Sequence, residues 1–138
     1  MKKNFFFSCA FMVVAIILIL SSFNTKQNFD LNASMRRGKE IYLANCISCH
    51  MEEGQGLEGV YPPLAKADYL MADKKRSIQL VLYGAKNEMT VNGKIYNIEM
   101  TGFGLSDAEV SDLLNYVRNS FSNKGAAVLP SEVRAARK

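Results

Sequence analysis

The stretch that most limits what this chain can fold into is Cys46-Ile47-Ser48-Cys49-His50, which gathers two of its three cysteines and its only histidine into five residues. Three chemistries use such a string. A structural zinc site takes four ligands, usually as two pairs; here one pair and one histidine stand alone, and Cys9 lies far upstream in an apolar run. A redox dithiol uses Cys-x-x-Cys in a βαβ context, whereas the residues before Cys46 carry a helical stripe. Covalent haem attachment uses all three residues. Thiols three apart lie on one side of a helical turn, so both can form thioethers to one porphyrin, and the adjacent imidazole can meet the iron. Neutral histidine is a good ligand, and its second ring nitrogen usually donates to a group that fixes the ring. Haem is the reading that uses every residue of the motif, with zinc and dithiol as its rivals.

The rest of the chain needs such a group. The first residues form a leader: Lys2 and Lys3, an apolar run from Phe5 to Leu20, then Ser21-Ser22-Phe23 and the polar Asn24-Thr25-Lys26-Gln27-Asn28. That is the layout of a bacterial export signal, and counted to Phe23 the run is long enough to span a bilayer. Residues 1–23 are therefore either a cleaved signal peptide or a membrane anchor, with Cys9 part of it. In both cases the lysines stay inside and the domain lies outside the cytoplasm, on the periplasmic side of the inner membrane. The formal charge is +4 overall and +2 once Lys2 and Lys3 are set aside, which argues against a nucleic-acid partner.

Residues 24–33 read as a linker, 34–122 as the domain and 123–138 as a loose tail with one helical turn after Ser131. Met35, Gly38, Ile41, Tyr42 and Asn45 form one helical stripe, with Ser34 or Asn32 as its cap. Glu52 to Gly59, rich in glycine, is a loop, and Tyr61-Pro62-Pro63 cannot continue a helix. Ala65 to Leu70 suggests a short helix, and Lys74 to Tyr83 a longer one stopped by Gly84. Asn92-Gly93 between β-prone segments predicts a hairpin over Glu88–Asn97. Ser106-Asp107-Ala108-Glu109 has the capping-box pattern and opens a helix to about Ser120, with Val110, Leu113, Leu114, Val117 and Phe121 along one side. These elements make a thin core for about 100 residues, marginal without something bulky inside.

From about Met35 onward the chain resembles the class I cytochromes c, monohaem electron-transfer proteins. Gly38, Tyr42 and Cys46 match the family's N-terminal helix, and Leu113 and Tyr116 its C-terminal helix, which crosses the first at the glycine. "GVYPPLAKADYL" (Gly59 to Leu70) is similar to the family's proline loop. Thr90 to Phe121, and the tail "GAAVLPSEVRAAR", resemble a subgroup found beside bacterial copper nitrite reductases and terminal oxidases. The resemblance implies an all-α cytochrome c fold, its N- and C-terminal helices crossing beside one covalent haem c, with one small hairpin. It implies Cys46 and Cys49 as the attachment points, His50 as one iron ligand, and the carbonyl of Pro63, or else Pro62, as acceptor of the His50 proton. It implies Met100 as the second ligand, with Met89 as the competitor. In the family a proline normally follows the ligand methionine; here Thr101 stands instead, and a looser ligand loop is expected. Tyr96 and Asn97 are candidates for a haem propionate or plain hairpin residues. Lys74-Lys75-Arg76 reads as a solvated face before a docking site.

The function implied is an extracytoplasmic single-electron carrier of a respiratory chain, not an enzyme, exchanging electrons with a terminal oxidase, nitrite reductase or quinol-oxidising complex. If Met100 leaves the iron readily, the rival functions are peroxide turnover or the sensing of a small gas.

Overall fold

The computed structural model describes residues 28–137. The leader, residues 1–23, lies outside the described residues. Among those that are described, no helix is long and apolar enough to cross a membrane.

The first helix, α1 (Leu31–Asn45), begins inside the stretch read as linker. Its cap is Asp30, whose carboxylate accepts from the Ala33 N–H at 3.0 Å; neither Ser34 nor Asn32 caps it. Periodicity misses this first turn because a capping hydrogen bond defines it, not apolar burial. Ser34 is instead fully buried. A single-turn helix, α2 (Ile47–His50), carries the cysteine motif and ends at Met51, in the left-handed region at φ 64°.

The expected short helix lies slightly later, as α3 (Asp68–Ala72), and α4 (Lys74–Tyr83) has the expected bounds. The predicted hairpin is β2 (Met89–Val91) with β3 (Lys94–Tyr96), turned at Asn92 and Gly93, which have φ of 51° and 77°. Positive φ at both turn residues is what an Asn-Gly hairpin requires. A second small ladder went unforeseen: β1 (Gly84–Ala85) pairs antiparallel with β4 (Met100–Thr101).

The last long helix, α5 (Asp107–Asn119), has the reciprocal capping box of Ser106 and Glu109. It crosses α1 at Gly38, where an added Cβ would lie 1.9 Å from the Asp112 carbonyl oxygen and 2.8 Å from the Tyr116 Cβ. Only glycine permits that approach. Tyr42, Tyr116 and Phe121 then stack in mutual contact beside the crossing, with ring centroids 5.3–5.5 Å apart.

The C-terminal segment is not a loose tail. It forms α6 (Pro130–Ala136), and Val128 and Val133 are fully buried in the main core. Polar groups make the attachment. Asn115 donates to the Val128 carbonyl at 2.9 Å and accepts from the Val128 N–H at 2.7 Å, while Lys74 bonds Glu132 at 2.5 Å and the Ala127 carbonyl at 3.2 Å. A search for apolar stripes sees none of these anchors, which is why residues 123–138 read as a loose tail.

Candidate functional site

α1 delivers Cys46 at its C-terminal end, and the single turn of α2 places Cys49 and His50 directly after it. Both thiols are free. Cys46 is buried; burial, aided by the neighbouring Cys49, pushes its thiol up to about 11. The motif follows a 15-residue helix and not a strand, so the βαβ setting of a redox dithiol is missing here. Among the described residues no cluster of three His, Cys, Asp or Glu side chains is placed to hold a metal ion.

His50 is held by its Nδ1, 2.9 Å from the Pro62 carbonyl oxygen. Of the two carbonyls named from sequence, the acceptor is thus Pro62, not Pro63. A carbonyl only accepts, so Nδ1 carries the proton and Nε2 is left as the lone-pair donor. Burial lowers the His50 pKa, and the bond to Pro62 opposes that in part. The ring therefore tends to stay neutral, as a metal ligand must. The loop behind it is tied in turn. Tyr42 donates to the Met51 carbonyl at 2.5 Å, Gly56 N–H to the His50 carbonyl at 3.0 Å, and the Leu64 N–H to the Gly54 carbonyl at 2.7 Å. Gly56, at φ 64°, lies so close to the Tyr61-Pro62 backbone that a Cβ would meet the Tyr61 oxygen at 2.4 Å.

Cys46, Cys49, His50, Pro62 and Leu64 together line part of a cavity of about 390 Å³. Leu113, Leu114 and Val117 of α5, Leu80 and Val81 of α4, and Met89, Val91, Tyr96, Met100 and Phe103 complete its lining. A larger cleft of about 680 Å³, bounded by Lys74, Arg118 and Glu132, opens elsewhere on the surface and holds none of the motif residues.

The smaller cavity suits a flat, mostly apolar macrocycle. Its volume is that of a cofactor pocket, its lining is predominantly aliphatic and aromatic, and two thiols and an oriented imidazole stand together on one wall. Both candidate methionines line it, so the placement alone does not separate Met100 from Met89. Tyr96 lines it too, whereas Asn97 is exposed and does not. The basic run is largely used within the protein. Lys74 pairs with Glu132, and Arg76 lies over the Tyr69 ring at 3.8 Å and donates to the Tyr69 carbonyl. Only Lys75 remains a solvated charge. Sequence reasoning missed Leu80 and Phe103 as cavity residues; their signal was an apolar side chain beside a helix end and beside the candidate ligand.

A family model described as Cytochrome c matches residues 35–121. The chain is 36% identical over 91 residues to "Cytochrome c-552" of Thermus thermophilus, a match covering 62% of this chain and 69% of that one. It is 34% identical over 104 residues to "Alcohol dehydrogenase (quinone), cytochrome c subunit" of Gluconobacter oxydans, covering 72% of this chain but only 22% of that subunit. To "Cytochrome c6" of Gracilaria tenuistipitata var. liui it is 27% identical over 115 residues, covering 81% of this chain and 96% of the relative.

Proposed function

The chain belongs to the cytochrome c family, and from that premise we propose that it is an extracytoplasmic single-electron carrier whose haem is held by Cys46 and Cys49 and whose iron is bound by His50 and Met100. The family implies one covalent haem c per domain, and that group supplies a one-electron ferric/ferrous couple. The observation that supports the reading is a single cavity lined by two thiols, a tautomer-fixed imidazole and a methionine thioether.

Each part of the chain then has a task. Cys46 and Cys49 tether the macrocycle through thioethers. The Pro62 carbonyl orients His50 and holds its Nδ1 proton, leaving Nε2 for the iron. The aliphatic wall from α4 and α5 keeps water out, which disfavours the extra charge of the oxidised state. A Met/His pair raises the reduction potential in the same direction. With His50 and Met100 both held by the chain, the group that they would bind would need little rearrangement between its two states, as a carrier requires.

Relatives named as cytochrome c subunits of dehydrogenases support electron exchange with a larger redox enzyme. The terminal oxidase, nitrite reductase or quinol-oxidising complex of a bacterial respiratory chain is the partner class we favour, on the periplasmic side of the inner membrane, with residues 1–23 as signal or anchor. Small, weakly binding interfaces suit such exchange.

An absorption spectrum tests the reading. The ferric protein should show the long-wavelength methionine–iron band, and the reduced protein should not change with carbon monoxide. Met100→Ala should abolish the band and admit carbon monoxide, while Met89→Ala should leave the band. The reverse pattern would assign the ligand to Met89. A wild-type protein that binds carbon monoxide would favour a peroxidase or gas sensor.

A further inference from the structure

Thr101 stands where the family places a stiffening proline, yet the segment carrying Met100 is anchored in another way. We propose that Gly84 and Gly102 form a backbone latch that positions Met100 as ligand; this rests on the reading of Met100 given above.

α4 ends at Gly84, whose N–H closes the last turn onto the Leu80 carbonyl and whose φ is 78°. From there the chain runs antiparallel to the ligand segment, Gly84 opposite Thr101 and Ala85 opposite Met100. The Phe103 N–H continues the contact, donating to the Val81 carbonyl at 2.9 Å. Each glycine meets the backbone of the opposite segment. A Cβ on Gly84 would lie 2.1 Å from the Met100 carbonyl oxygen. A Cβ on Gly102 would lie 2.6 Å from the Leu82 carbonyl oxygen and 2.7 Å from the Tyr83 carbonyl carbon. Backbone atoms cannot rotate aside as a side chain can, so any side chain at either position must push the segment away from α4. Met100, Thr101 and Phe103 all line the cavity, Thr101 being otherwise exposed. The latch therefore fixes the distance of this cavity-lining segment from α4. Proline stiffens one residue's φ and removes a donor; a ladder plus two glycine contacts restrains four residues.

Two other glycines supply the controls. Gly93 shares the positive φ of Gly84, at 77°, but nothing lies within 4 Å of its Cβ position. Gly104 lies in the same segment as Gly102 and is equally open. The experiment uses haem-loaded protein and reads the imidazole concentration that bleaches half of the ferric methionine–iron band. Gly102→Ala and Gly84→Ala should lower it about tenfold or more, which corresponds to about 1.4 kcal/mol. Gly104→Ala and Gly93→Ala should leave it nearly unchanged. Should Gly102→Ala behave like Gly104→Ala while Met100→Ala loses the band, the latch is wrong and the ligand reading stands. Should Met100→Ala keep the band, both fall. Amide hydrogen exchange of the unmodified protein is the second measurement. The Phe103 N–H should be protected and the Gly104 N–H not; an unprotected Phe103 amide overturns the latch even if no variant folds.

Discussion

The two walls of the cavity are held by different means. The helical wall, where α1 crosses α5, is fixed by side chains that bond between residues far apart in sequence, most of them buried. Ser34 donates to Asp112 at 2.6 Å, Arg37 pairs with the same carboxylate through two bonds of 2.6 and 2.8 Å, and Asn115 donates to Ser34 at 2.9 Å. The opposite wall contains two ladders of two and three residue pairs and depends on backbone pairing and glycine contacts. The helical wall is thus specified by residue identity, whereas the strand wall is specified by chain path. The proposed ligand pair fits that division: His50 lies within the attachment motif, whereas Met100 comes from 50 positions further along the chain.

If that contrast is right, the most damaging single change lies at the crossing. Gly38→Ala places a Cβ against the Asp112 carbonyl oxygen, inside any permitted contact. α1 and α5 must separate, and the loss should be at least about 3 kcal/mol, the upper range for overpacking. A urea midpoint measured on haem-loaded protein checks it; a loss no larger than that of Gly104→Ala would show that the helices are free to shift. Next comes Asn115→Ala. It removes the partner of the Val128 N–H and weakens the bonding of its carbonyl, both buried. About 2 kcal/mol should be lost for leaving such groups unsatisfied. Val128 and α6 should gain amide exchange while the β2–β3 hairpin does not. Equal loosening of both regions would erase the distinction between the walls.

How far each wall was legible in the sequence follows from the same difference. The motif Cys46 to His50 is contiguous, so local spacing gave its chemistry. The Gly38 crossing came from the family resemblance, since nothing local says what a glycine must touch. Lys74–Tyr83 and the Ser106 capping box were readable because their signals are local too. The β1–β4 ladder left no trace, because two-residue strands have no period. Met100 was named over Met89 from the family resemblance, and the cavity does not separate them, since both line it. The tail was misread because Val128 and Val133 are too few to make an apolar stripe and its other anchors are polar atoms of Asn115 and Lys74.

A smaller effect separates positioning from burial on the helical wall. Tyr42 is fully buried, and its hydroxyl bonds the Met51 carbonyl directly after His50. Tyr42→Phe keeps the ring contacts with Tyr116 and Phe121 and removes only that bond, so stability should fall by about 1 kcal/mol. The ring of His50 is fixed independently by Pro62, so the methionine–iron band should stay in place. Loss of the band would mean that the Tyr42 bond, and not Pro62 alone, sets the position of the ligand loop.

The smallest effect is electrostatic and concerns the attachment of α6. Asp107, the first residue of α5, accepts from Arg137 at 2.6 Å and from Arg134 at 3.2 Å. The bond to Arg137, then that to Arg134, holds its carboxyl below the usual range despite some opposing desolvation. The sign follows from linkage. In the unfolded chain this carboxyl protonates near its ordinary value of about 3.9, whereas in the folded chain it stays ionised to lower pH. Its contribution is therefore fully present above that ordinary value and is lost as pH falls through the depressed folded one. An anionic group at a helix N-terminus acts in the same direction. Asp107→Asn should consequently lower the urea midpoint by a small, constant amount from about pH 5 to pH 8, and the gap should close below about pH 4. High salt should shrink it, because the arginines are solvent-exposed in part. No gap between pH 5 and pH 8 would mean that α6 is held by the Val128 and Val133 core and the Asn115 bonds alone, and a gap that widens as the pH falls would mean that the folded carboxyl is not depressed.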